Sequence, residues 1–158
     1  MTTLDLDLDT VNAFVVRAKA ATYVGSGQHL LPYRLGSHDL QFVDGDWAYH
    51  DSYLGESDFI GEEIVYYQRR VVWGMNYFGY ILRPDRISSA QAGHVIKVSL
   101  TRLYRENRLL GGCEYTVDDF HYVDTSEGDV QLFHGKEWIE HEGQIVYELL
   151  YHGGLVKS

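Results

Sequence analysis

The segment Asp46-Trp47-Ala48-Tyr49-His50-Asp51 returns 73 residues later as Asp119-Phe120-His121-Tyr122-Val123-Asp124. Both copies read Asp, aromatic, any residue, Tyr, any residue, Asp. With one inserted residue the match continues: Phe59-Ile60-Gly61-Glu62-Glu63 falls on Phe133-His134-Gly135-Lys136-Glu137, Val72-Trp73 on Val146-Tyr147, Tyr77 on Tyr151 and Gly79 on Gly153. Upstream, Arg34-Leu35-Gly36 has a rougher counterpart in Arg108-Leu109-Leu110-Gly111. So many aligned glycine, aromatic and acidic positions point to a tandem duplication inside one domain spanning 1–158, with one unit at about 9–83 and the other at about 84–157.

Each unit opens with a helical period. Val11, Phe14, Val15, Ala18 and Ala21 are spaced for one face of a helix that Asp9 or Thr10 can cap and Gly25-Ser26-Gly27 can end. In the second unit Ile96, Leu100, Leu103 and Tyr104 share a face within 85–107, with Gly93 as a point of interruption. Four strand-like runs follow each helix, at about 38–43, 46–54, 58–68 and 71–82, then at about 113–117, 119–126, 130–141 and 144–156. The joints Asp44-Gly45, Gly55-Glu56, Gln68-Arg69-Arg70, Glu127-Gly128-Asp129 and Glu142-Gly143 are short, which makes antiparallel hairpins rather than parallel crossovers. The expected fold is α+β: a pseudo-twofold tandem duplication of a helix plus four antiparallel strands, about eight strands and two main helices. One sheet, two sheets and a barrel all satisfy this pattern.

Side chains alternate along a strand, so each run divides between two faces. One set holds Trp47, Tyr49, Asp51 and Tyr53, then Phe59, Gly61, Glu63 and Val65, then Val71, Trp73, Met75 and Tyr77. The second unit supplies Phe120, Tyr122, Asp124, Phe133, Gly135, Glu137, Ile139, Ile145, Tyr147, Leu149 and Tyr151. This set is apolar and aromatic enough to face the core or a cavity, yet Asp51, Glu63, Asp124 and Glu137 interrupt it. A carboxylate leaving water needs a partner, or its pKa rises. In one reading Arg34 and Arg108, also repeated, satisfy the acids as structural ion pairs. In another, Trp47, Tyr49, Asp51, Glu63, Trp73, Tyr77, Tyr122, Asp124, Glu137 and Tyr151 line a site for a polar or cationic ligand, the rings adding cation–π attraction. In a third, one acid serves as general acid or base.

The opposite face carries His121, His134, Lys136, Glu140, Glu148 and His152 in the second unit, and Ile60, Ile64, Val72 and Phe78 in the first, the latter suited to cover by a helix or another subunit. The histidines lack any compact ligand motif and their first-unit counterparts are apolar, so no metal and no cofactor is expected. A formal charge of −10 disfavours nucleic acid and anionic membranes as partners. Cys113 is the sole cysteine, so no internal disulfide forms; it matches no nucleophile motif and reads as an inert core thiol in a reducing compartment. The acidic Met1–Asp9 segment has no signal-peptide character and no run spans a membrane, which gives a cytoplasmic location by elimination.

Several stretches resemble a family of uncharacterised bacterial domains found alone or behind helix-turn-helix domains of the XRE type. They are Phe14–Tyr23, Gly36–Leu40, Tyr49–Gly55, Phe59–Glu63, Trp73–Tyr77 and Tyr151–Gly154. The resemblance implies a sensor-like, ligand-responsive role but transfers no catalytic residue, and this sequence has no DNA-binding segment. The sequence therefore reads as a small-molecule-binding domain, compatible with a homodimer. Enzyme and purely structural or protein-interaction module are the alternatives.

Overall fold

A computed structural model describes residues 6–24 and 27–157, with the backbone alone for Tyr23 and Val24. The expected helix stop at positions 25 and 26, and residues 1–5 of the acidic N-terminal segment, lie outside the described residues. In chain order the elements are α1 (Leu8–Val24), β1 (Gln28–Leu30), β2 (His38–Asp44), β3 (Trp47–Gly55), β4 (Phe59–Tyr67), β5 (Arg70–Ile81), α2 (Ser89–Arg105), β6 (Cys113–Val117), β7 (Phe120–Asp129), β8 (Leu132–His141) and β9 (Gln144–Leu155). The fold is α+β, with two helices and one antiparallel sheet ordered β1-β2-β3-β4-β5-β9-β8-β7-β6. Nine strands replace the expected eight. The extra one, β1, pairs three residues onto β2 and is too short to show an alternating period.

Both helices are fixed at their starts by side-chain caps. Asp7, rather than Asp9 or Thr10, caps α1: its Oδ2 accepts from the Thr10 amide at 3.0 Å and the Thr10 hydroxyl at 2.7 Å. Ser88 and Gln91 form a reciprocal capping box on α2, each side chain taking the other's backbone N–H. The helix then runs unbroken through Gly93. Both helices pack on one face of the sheet, α1 over β2 and β3, α2 over β6 and β7, and they touch each other. The core lies between: Val11, Phe14, Val15 and Ala18 of α1 and Val95, Leu103 and Tyr104 of α2 meet Tyr49, Val65, Trp73, Tyr122, Ile139 and Tyr147 of the sheet. Among the described residues no helix lies on the other sheet face, so of the helix or subunit expected to cover it the helix is not found, and Ile60, Phe78 and Leu150 are exposed in one cross-strand row.

The alternation holds until two β-bulges break it. Val65 pairs with Trp73 but Tyr66 pairs with Val71, so Val72 is an extra residue; Val146 is the equivalent extra residue between Ile139–Tyr147 and Glu140–Ile145. Each bulge turns its valine into the core and leaves Val71 and Ile145 exposed, the reverse of strict alternation. The bulged carbonyls also tie the halves together, Val72 accepting from the Val156 amide and Val146 from the Leu82 and Arg83 amides.

Two-residue turns close the hairpins ahead of the bulges. Glu142-Gly143 joins β8 to β9 and Gln68-Arg69 joins β4 to β5, all four residues with positive φ. A left-handed backbone costs a non-glycine residue about 1–2 kcal/mol, and Arg69 (φ 66°) stands where the second hairpin has glycine. Arg69→Gly is expected to raise stability by about 1 kcal/mol, or roughly 2–4 °C in Tm. A thermal melt showing no gain or a loss would refute it.

Candidate functional site

The inner sheet face carries the four acids where alternation put them. Asp51 is directly opposite Glu63 across β3–β4, and Asp124 directly opposite Glu137 across β7–β8. All four are buried. Like charges set opposite each other on antiparallel strands repel, so each pair survives only with donors or protons.

The Phe-x-Gly-x-Glu stretches make room for those donors. Gly61 is the cross-strand partner of Tyr77, and Gly135 of Tyr151. A Cβ at either glycine would collide with the tyrosine ring, so each ring lies flat over the bare backbone. Laid down this way, the Tyr77 hydroxyl donates to Asp51 Oδ1 at 2.7 Å and the Tyr151 hydroxyl to Asp124 Oδ1 at 2.8 Å. Glu137 accepts from the hydroxyls of Tyr122 at 2.5 Å and Tyr147 at 3.0 Å. Glu63 instead binds an ammonium: Lys19 of α1 reaches both its oxygens, at 2.6 and 2.8 Å, with side-chain exposures of 6% and 1%.

That ion pair replaces the one expected from the arginines. Arg34 donates to the carbonyl and hydroxyl of Ser52, while Arg108 is held by Glu106 and by the carbonyls of Leu110 and Gly112. Both lie between elements beside the sheet and pair with other groups, though Arg108 is near enough to Asp124 to lower its pKa. Lys19 was missed, although it stands four residues after Val15 on the face that α1 buries. A fifth buried acid, Asp39 on β2, was also missed. It accepts from Ser37 at 2.5 Å, from the Tyr33 amide at 3.2 Å and contacts His50 Nε2 at 2.8 Å. Burial pushes its carboxyl up, but these donors together with Ser52 outweigh it and hold Asp39 down at about 2.

Lys19 supplies one positive charge among four carboxyls, and the other three are pushed up toward the neutral range. Burial, then the nearby Glu63, pushes Asp51 up to about 7 against the opposing Tyr77 hydrogen bond. Burial lifts Asp124 to about 6 and Glu137 to about 7. Cys113 is half-buried and its thiol is pushed to about 12, chiefly by burial and then by Asp124, so no thiolate forms at neutral pH.

Two chambers open between helices and sheet. The larger, about 260 Å³, lies against the first half of α2, where Ala92, Gly93 and Ile96 face Asp51, Tyr53, Phe59, Tyr77 and Tyr147. Thr22, Glu56, Ser57 and Ser89 add polar groups. The smaller, about 50 Å³, is bounded by Lys19, Glu63, Asp124, Glu137, Tyr77, Tyr151 and apolar residues that include Leu103, Phe133 and Leu149. Tyr77 lines both. Of the ten residues proposed from the sequence, Asp51 and Tyr77 reach the larger chamber and Glu63, Tyr77, Asp124, Glu137 and Tyr151 the smaller. Trp47, Tyr49, Trp73 and Tyr122 line neither: Trp47 stacks on Phe14 with ring centroids 5.1 Å apart, Trp73 stacks on Phe133 at 5.7 Å, and Tyr49 and Tyr122 are core residues.

On the outer face a wide trough of about 680 Å³ runs past Tyr33, Arg34, His50, Ser52 and Tyr66, open to solvent. His121, His134 and His152 are on this face too; His134 and His152 are cross-strand neighbours. Among the described residues no group of three His, Cys, Asp or Glu side chains is placed to hold a metal ion, and no helix is long and apolar enough to cross a membrane.

Residues 51–156 match a domain of unknown function, DUF5680. The chain belongs to this family. The matched span begins within β3 and holds all four inner acids and both Gly–Tyr pairs, while Lys19 and Asp39 precede it. No curated protein and no solved structure matches the chain.

Proposed function

We propose that this DUF5680 chain binds a small organic molecule in the 260 Å³ chamber, one that joins an apolar body to a cationic or hydrogen-bond-donating group. Asp51 carries the reading. It is 4% exposed, its Oδ1 accepts from the Tyr77 hydroxyl, and its side chain borders the chamber. Phe59, Tyr147, Ile81 and Ile96 offer the apolar wall, and the Phe59 and Tyr147 rings stack at 6.4 Å. A cation must displace the proton that Asp51 holds at about 7, so affinity rises with pH through neutrality. Benzylamine is a suitable probe: calorimetry should show saturable binding, stronger at pH 8 than at pH 6 and at least tenfold weaker in Asp51→Asn. Equal binding by wild type and variant would end the proposal.

The same protonation supports a second reading, general acid–base catalysis by Asp51 opposite Glu63, because a group poised near neutrality serves both roles. It requires a turnover that Asp51→Asn abolishes while benzylamine binding at the mouth of the chamber is merely weakened. A ligand-responsive, sensor-like role fits the resemblance to domains carried behind helix-turn-helix units. The halves are read as a tandem duplication, supported by their shared Gly–Tyr–Asp units and bulges. Relatives whose two halves fail to match each other at these positions would argue against it.

A further inference from the structure

The smaller chamber is not the site proposed at Asp51, and one of the acids that border it has an unpaired buried oxygen. Asp124 is 5% exposed; its Oδ1 accepts from Tyr151, but its Oδ2 is buried with no hydrogen-bond partner. A buried acceptor left unpaired costs about 1–3 kcal/mol, and such atoms mark places where something else binds. We infer that this chamber is a second binding site, built for an ammonium group, with Asp124 as its acceptor.

The first half of the protein shows the arrangement already filled. There a primary ammonium, that of Lys19, is buried against Glu63. The second half repeats the acids as Asp124 and Glu137 but has no lysine of its own beside them; Glu137 takes two tyrosine hydroxyls, and Asp124 keeps a bare oxygen. About 50 Å³ exceeds the roughly 10–15 Å³ that a water-sized guest needs, and a tetrahedral nitrogen bearing hydrogens is of that size. The rings of Tyr77, Phe133 and Tyr151 border the space and suit a cation. A metal ion suits it less, since no three His, Cys, Asp or Glu side chains among the described residues converge.

Charge balance allows a second cation. Lys19 is matched by Glu63, and Arg108, behind Asp124, is matched by Glu106. The other groups acting on Asp124 or acted on by it are Tyr122 from β7, Glu137 from β8, Tyr151 from β9, Cys113 from β6 and Tyr104 from α2, none of which brings positive charge. An ammonium ion and the head of an alkylamine share the chemistry the site selects.

Thermal unfolding of the intact chain at pH 8 and constant ionic strength, with ammonium chloride set against tetramethylammonium chloride, tests the inference. Ammonium should raise Tm saturably, and tetramethylammonium, which has no N–H, should not. The response should persist in Asp51→Asn, which separates it from the larger chamber, and weaken at least tenfold in Asp124→Asn. Butylamine added to Asp51→Asn distinguishes the sources: stronger stabilisation than by ammonium assigns the site to an alkylamine head, weaker to the free ion. Because Asp124→Asn can alter the fold, wild-type protein with ¹⁵N-labelled ammonium gives an independent reading, a bound, exchange-protected ¹H–¹⁵N resonance. Identical responses to ammonium and tetramethylammonium, an undiminished response in Asp124→Asn, or no protected resonance at saturating ammonium would overturn it.

Discussion

Lys19→Met should lower stability at pH 8 by about 3–5 kcal/mol, the cost of leaving one member of a buried ion pair behind. For a chain of this length that is a fall of roughly 6–20 °C in Tm. The loss arises because Glu63, 1% exposed, would face Asp51 across the β3–β4 ladder without a counter-charge. Glu63→Gln should cost less, since Lys19 still has Asp51, Asp124 and Glu137 within its field, and at pH 8 these are mostly ionised. The double variant Lys19→Met with Glu63→Leu should recover most of the loss, because replacing a buried pair by apolar groups of similar volume is often neutral. Urea unfolding of wild type, Lys19→Met, Glu63→Leu and the double variant closes the cycle. A single Lys19→Met variant within about 1 kcal/mol of wild type would show that the pair contributes little to the fold.

Stability should also fall as pH rises from 5 to 8, a slope opposite to the one that carboxylates in salt bridges impose. Asp51, Asp124 and Glu137 stand at about 7, 6 and 7 in the folded protein. Below about pH 4 they are protonated in both the folded and unfolded chain and cost nothing. Between about pH 4 and 7 the unfolded chain sheds these protons while the folded chain keeps them, so each group removes about 1.4 kcal/mol per pH unit until its folded pKa is passed. Asp39, held at about 2, works the other way: its contribution is complete above about pH 4 and is lost only as pH falls through 2, outside this window. The unfolding free energy from urea titration should therefore be several kcal/mol higher at pH 5 than at pH 8, and Asp51→Asn and Glu137→Gln should each flatten the difference. A midpoint that climbs toward pH 8 would mean that the inner acids are ionised and paired.

Most hairpins and the inner face were legible because they are local, although Glu127-Gly128-Asp129, expected as a turn, is the end of β7. Asp44-Gly45 and Glu142-Gly143 signal their turns without tertiary help, and the run Trp47, Tyr49, Asp51, Tyr53 fixes which face of β3 meets the helices. Phase was lost only at Val71 and Ile145, where an extra residue in β5 and β9 resets the alternation and nothing in the valine pairs announces it. The partners of the acids were not legible. Arg34 and Arg108 recur in the repeat, yet loop geometry ties them to Ser52 and Glu106; Lys19 belongs to only one half, and its reach to Glu63 depends on where α1 lies across the sheet. The chambers were invisible for the same reason. They are spaces between a helix and a sheet, and strand periodicity says nothing about how closely a helix approaches.

The seam between β5 and β9 has a consequence for how the molecule is assembled. Tyr77 pairs with Tyr151 across it, 74 residues further along the chain. Every other ladder joins strands that follow one another in sequence and can zip from a tight turn, whereas this contact must close a long loop and bear its entropy. Until the last strand arrives, β5 offers an open row of amides and carbonyls at the very place where Gly74 and Gly79 leave its surface flat. A half-made chain is in that interval a template for any strand of matching length, including the β9 of a neighbour, so synthesis order and protein concentration bear on the yield of the native fold.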